Sequence, residues 1–144
     1  MSRIDDSTSL WNDGRSCAQA VAEAFGPSLG LSPELARAVA RGFGSGMGQG
    51  GRCGALTGAV IVLGLAAQPE GDEGERRRAV YLRVRALTQR FEARHGSSVC
   101  RELLGGLDPS TPEGLEEGAR RGLFDTVCPA CVRTATELLQ AELA

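Results

Sequence analysis

The sequence predicts an all-α fold, and three observations carry that prediction. No segment alternates apolar and polar residues with the period of two that a half-buried strand requires. Helix-start signatures recur, such as Ser16 with Gln19 three residues on, and Ser32-Pro33-Glu34. The third is the stretch Gly42 to Leu65, GFGSGMGQGGRCGALTGAVIVLGL, where a glycine tract runs into an apolar segment with Thr57 as its only polar side chain. That segment reads as a buried central helix. At 144 residues the chain suits one domain, 1–144, arranged as a compact bundle of about six helices.

Taken in order, Ser7 to Asn12 reads as a short helix closed by Gly14. Ser16 opens a second, whose Val21, Ala24 and Phe25 face the core until Gly26-Pro27 ends it. Ser32 caps a third, with Pro33 in its first position, running through Leu35, Val39 and Phe43 into the glycines. Six glycines lie between Gly42 and Gly51, a density that marks backbone in conformations or contacts that side chains would block. In the central helix, Gly54 and Gly58 are four apart and would let another element approach closely. Glu75 to His95 is the longest helical pattern, with Val80, Leu82, Val84, Leu87 and Phe91 on one side and Gly96 as its stop. A short helix follows from Val99 to Leu104. Residues 107–122, with two prolines and three glycines, read mostly as loop. The last helix is expected to start at Pro129 with Cys128 as its N-cap.

Composition narrows the function. Hydrophobic residues are 42% and the net charge is −2, so neither nucleic acid nor an anionic membrane surface is expected as a partner. The N-terminus lacks the apolar core of a secretory signal, and the run from Ala55 to Ala67 is too short to span a bilayer. A cytoplasmic location without membrane insertion is the expectation. All 16 basic residues are arginine, which excludes lysine Schiff-base chemistry. Gly46-x-Gly48-x-x-Gly51 matches a dinucleotide fingerprint, but the residues before it look helical, so no NAD site is expected. His95, the only histidine, suits an interaction with the C-terminal dipole of its helix, with ligation beside Cys100 as the alternative. Arg76-Arg77-Arg78 suits a solvated helix face.

Five cysteines in a reducing compartment suggest metal binding or thiol chemistry over structural disulfides. Cys17 follows an N-cap, Cys53 precedes the central helix, and Cys100 lies in a first turn. Cys128 and Cys131 would sit in the first turn of the last helix. This reading places every cysteine at a helix N-terminus, where unpaired N–H groups and the helix dipole favour thiolates. Arg15, Arg52, Arg101 and Arg133 lie within two residues of cysteines and could add to the effect. Cys128-Pro129-Ala130-Cys131 is a CxxC without the strand a thioredoxin fold would need, and zinc-finger spacing is absent.

Four pieces together carry a family resemblance: Ser16-Cys17-Ala18-Gln19-Ala20-Val21, Cys53-Gly54-Ala55-Leu56-Thr57-Gly58-Ala59, Cys100-Arg101-Glu102-Leu103-Leu104-Gly105, and Cys128-Pro129 followed by Val132. From about Leu10 to Leu139 the chain resembles a family named for its cysteine pattern, C_GCAxxG_C_C, and described as redox-active. The resemblance carries the four characteristic cysteines over as Cys17, Cys53, Cys100 and Cys128, and Cys131 departs from the pattern. The family is also similar to a domain of multihaem cytochromes for which an iron–sulfur centre has been suggested. No CxxCH is present, so no haem is expected.

Three functions follow as expectations. In the first, Cys17, Cys53, Cys100 and Cys128 form one metal site, for an iron–sulfur cluster or another thiolate-bound metal, serving electron transfer or sensing with an unnamed redox partner. In the second, Cys128 and Cys131, or a distant cysteine pair, cycle as a thiol–disulfide oxidoreductase. In the third, the chain is a non-catalytic helical interaction module whose cysteines only pack.

Overall fold

The computed structural model describes residues 2–144, and those residues form eight α-helices with no β-strand. They are α1 (Arg3–Asn12), α2 (Cys17–Phe25), α3 (Pro33–Ala40), α4 (Gly54–Leu65), α5 (Glu73–His95), α6 (Cys100–Leu103), α7 (Pro112–Arg120) and α8 (Leu123–Leu143). The all-α class stands, with two more helices than the sequence suggested. None of the described helices is long and apolar enough to cross a membrane.

The buried α4 organises the rest. Leu56, Val62 and Leu63 are fully enclosed, each worth about 1.5–3 kcal/mol of apolar burial. Around them close Val21 and Phe25 of α2, Leu87 and Phe91 of α5, and Val132, Ala135 and Leu139 of α8. The glycine spacing of α4 does what was expected of it. A Cβ at Gly58 would lie 2.7 Å from the Ala18 carbonyl oxygen, so α2 and α4 meet backbone to backbone. At Gly54 the same substituent would press on Ala18 and Cys17. The start of α2 is thereby set against the start of α4.

The termini follow local chemistry. Capping boxes at Ser2/Asp5, Ser16/Gln19 and Asp72/Glu75 start α1, α2 and α5. The first of these begins α1 at Arg3, earlier than Ser7. Gly96, at φ +81°, closes α5 in the left-handed conformation.

Two sequence expectations are corrected. Residues 107–122 are not mostly loop: Thr111 caps α7 with Pro112 in its first position. Gly114 and Gly118 are there for close contact, since a Cβ at Gly118 would meet the Phe124 ring at 2.6 Å. The last helix does not start at Pro129. It begins six residues earlier in sequence, at Leu123, because Phe124 packs on α7 and Val127 packs on the core. Pro129 lies inside α8. Its missing N–H and its ring are a cost of about 3 kcal/mol that the packing of both halves must offset. Leu35, Val39 and Leu82 are exposed, Leu82 by 69%, so Leu82 does not share the buried side of α5 with Leu87 and Phe91.

Candidate functional site

The five cysteines come from four separate segments, and the fold brings all of them to one cavity of about 20 Å³. Leu103, Leu104, Val127 and Gly54 complete its lining. All five are free thiols.

Each thiol is placed by a nameable device. Cys17 is the first residue of α2, held by the Ser16–Gln19 box. Cys53 is the N-cap residue of α4. Cys100 opens α6. The Cys53 and Cys100 segments are stitched antiparallel. The Cys53 N–H donates to the Ser98 carbonyl at 2.8 Å, and the Cys100 N–H donates to the Gly51 carbonyl at 2.6 Å. The buried Ser98 hydroxyl reinforces this join by donating to Glu92 at 2.6 Å while the Arg52 guanidinium donates to it. Arg52 is therefore turned toward Ser98 and Glu92, and its expected help to a Cys53 thiolate is replaced by this joining role.

Cys128 and Cys131 are three apart inside α8, which puts both on the helix face toward the cavity. They do not sit at a helix N-terminus, so the expectation that every cysteine does so is corrected for these two. The cause is the upstream extension of α8 past Pro129. Their thiols are tuned by neighbours instead.

The neighbours pair. A hydrogen bond from the Cys17 thiol is the main influence lowering the Cys128 pKa, against the opposing effect of burial. The same bond, then burial, holds Cys17 well above the ordinary thiol range. Cys53 and Cys131 form the second pair. The Cys131 thiol donates to Cys53 and lowers its pKa, and the N–H groups of Ala55 and Leu56 at the start of α4 assist. Cys131 is pushed up by that bond and by burial. Cys100 stands outside both pairs. Burial, and then the negative charges of Cys53 and Cys128, push it up to about 12.

Access divides the pairs. Cys53 and Cys131 are buried, 4% and 2% exposed, whereas Cys17, Cys128 and Cys100 are half-buried.

The glycine tract lies against this centre. Ser45, Gly46, Met47 and Gly48 all have positive φ, a left-handed turn that is costly for the two non-glycine members. A Cβ at Gly46 would collide with the Gly51 backbone and reach 3.0 Å from the Cys100 Cβ. The dinucleotide-like glycines are thus part of a tight turn over Cys100. His95 stands elsewhere: it hydrogen-bonds Thr134 at 2.8 Å and packs on the Phe91 ring, and it does not line the cavity.

Sequence reasoning missed one supporting group. Glu23 is a buried carboxylate that accepts from Arg15 at 3.0 Å and from Arg37 at 3.0 and 3.2 Å. It ties the segment before Cys17 to α3. The apolar setting of Glu23, between Ala22 and Ala24 in a helix pattern, was the available signal.

Donor chemistry and donor spacing answer the question of a metal differently. An all-sulfur lining suits a thiophilic ion. Yet among the described residues no three Cys, His, Asp or Glu side chains are grouped at ligating distance. The cavity has room for about one water-sized group, so an iron–sulfur cluster with its sulfides does not fit the helices as packed.

Residues 15–142 match the profile of a family described as a putative redox-active protein (C_GCAxxG_C_C). No curated protein and no solved structure matches the chain significantly.

Proposed function

The chain belongs to the C_GCAxxG_C_C family, and from that premise and the thiol geometry we propose that it is a dithiol–disulfide redox protein whose centre is two cysteine pairs in one cavity. One observation carries this reading. All five thiols line one cavity, and within it Cys17 acts chiefly on Cys128 and Cys131 on Cys53, each pair joining one lowered and one raised thiol. That is the division of labour that disulfide formation needs: a thiolate to attack and a partner held in reserve to resolve. Of the expected cycling partners, Cys128 and Cys131 both take part, each with a partner on another helix.

The all-sulfur lining favours a second reading, a single thiophilic metal ion held by Cys17, Cys53, Cys100 and Cys128. Such an ion would supply a structural or one-electron centre and would require the two thiol pairs to open.

Protein purified without oxygen decides between them. Under the dithiol reading it carries five titratable thiols and no stoichiometric metal, and a small disulfide oxidant consumes thiols two at a time. Substitution of either Cys128 or Cys131 by serine then removes one of the pairs. Iron with sulfide, or zinc, retained at one equivalent through dialysis would overturn it. Metal content lost in Cys128→Ser and kept in Cys131→Ser would establish the four-cysteine site instead.

A further inference from the structure

We infer that the centre is a two-stage relay, in which the half-buried Cys17–Cys128 pair meets an external disulfide and the buried Cys53–Cys131 pair is oxidised through it. The inference rests on the dithiol reading above and adds a direction to it. Three features of the geometry support that direction. Cys17 and Cys128 are half-buried while Cys53 and Cys131 are buried, so of the two pairs the outer one is the one an external disulfide reaches. Both pairs line one cavity. Cys128 and Cys131 share one face of α8 a single turn apart, and Cys53 lies close enough to Cys128 for its charge to act on that thiol.

The steps balance. The Cys128 thiolate attacks a small disulfide, RSSR, forming a Cys128–SR bond and releasing RS⁻. Cys17 gives its proton to that RS⁻ and attacks the Cys128 sulfur, expelling the second RS⁻ and closing the Cys17–Cys128 disulfide. The Cys53 thiolate then attacks the Cys128 sulfur, and Cys17 leaves as a thiolate. Cys131 passes its proton to Cys17 and attacks the Cys53 sulfur, and Cys128 leaves as a thiolate. The outer pair ends as it began. The inner pair is a disulfide, and one RSSR has become RSH and RS⁻. Cys100 takes no part in the exchange.

The test is a time course on the reduced, metal-free full chain with one equivalent of oxidised glutathione under argon. Samples are quenched in acid and their disulfides mapped by mass spectrometry. The Cys17–Cys128 bond should appear first and decay as Cys53–Cys131 grows. In Cys128→Ser the inner bond should form about tenfold more slowly or worse, because the accessible attacking thiolate is gone. In Cys100→Ser the time course should be unchanged. An inner bond that forms equally fast without Cys128, or a transfer that fails without Cys100, overturns the relay. An outer disulfide that forms and never advances overturns the relay and leaves the dithiol reading standing. Formation of no intramolecular disulfide at all overturns both. The time course on the unmodified chain needs no variant to fold.

Discussion

At the scale of the residue, Cys128 and Cys100 share one cavity and titrate in opposite directions. Cys128 receives a hydrogen bond that its thiolate accepts better than its thiol does, so its pKa falls. Cys100 has no such donor, and burial beside Cys53 and Cys128 pushes it up to about 12. A lowered pKa moves the thiolate to lower pH, so alkylation of Cys128 should rise through a midpoint below that of a free thiol, about 8.5. Cys100, equally half-buried, should still be gaining reactivity above pH 10. First-hit iodoacetamide kinetics against pH, read peptide by peptide, check this. A Cys100 that titrates like a free thiol would remove the electrostatic account of the cavity. Part of this tuning was legible in the sequence. Cys53 before an apolar helix announced N–H groups at a thiol, and those groups are there. Its main influence, the Cys131 thiol, was not legible, because it comes from a residue 78 positions away.

At the scale of the element, the chain uses glycine for proximity more than for freedom. Gly58 admits the Ala18 backbone, and that contact seats Cys17 beside Cys53. Gly58→Ala should therefore cost about 1–3 kcal/mol by overpacking, measurable by denaturant titration. It should also part the two cysteine pairs and slow disulfide closure between Cys17 and Cys128. Loss of stability with unchanged closure would mean that this contact does not position the thiol. Ser98→Ala makes a second case. It removes the hydroxyl that joins Arg52 to Glu92 beneath the Cys53–Cys100 stitch, and the loss of a buried, charge-assisted partner costs about 1.5–3 kcal/mol. Melting curves of this variant and of Arg52→Ala should fall by similar amounts if the three groups act as one unit.

The same scale shows where sequence reading stopped. Thr111-Pro112-Glu113 starts α7 with the chemistry that Ser32-Pro33-Glu34 uses to start α3, and only the first-met instance was read as a helix. Three glycines nearby suggested a loop, although two of them are tight contacts, Gly118 with the Phe124 ring of α8 and Gly114 with the Asp108 backbone. Cys128-Pro129 looked like an N-cap and first turn by the same rule. Tertiary packing of Phe124 and Val127 overrode it and carried the helix through the proline. The glycine-spaced α4 needed no tertiary information, because an apolar helix without a polar face has nowhere to go but the core.

At the scale of the whole molecule, the pairs span the chain. Cys17 on α2 and Cys128 on α8 are roughly 110 residues apart, and a bond between them closes most of the sequence into one loop. Chain entropy alone would raise stability by about 4–5 kcal/mol through constraint of the unfolded state. Closure at Cys53–Cys131, with roughly 80 residues enclosed, should stabilise by a little less. For a domain of this size the melting temperature should therefore rise by about 15 °C on oxidation, whichever pair holds the bond. Scanning calorimetry of the reduced and fully mapped oxidised forms measures the difference. Cys17→Ser and Cys131→Ser, each of which retains one pair, should keep a rise of this order. The double variant should lose it. A metal ion in the cavity would stabilise the reduced form instead, since it binds the folded thiolates and not the disulfide. An oxidised form that melts below the reduced one would show that the helices must be strained to close either bond. The two pairs would then be packing contacts, and the redox role assigned to them would fall.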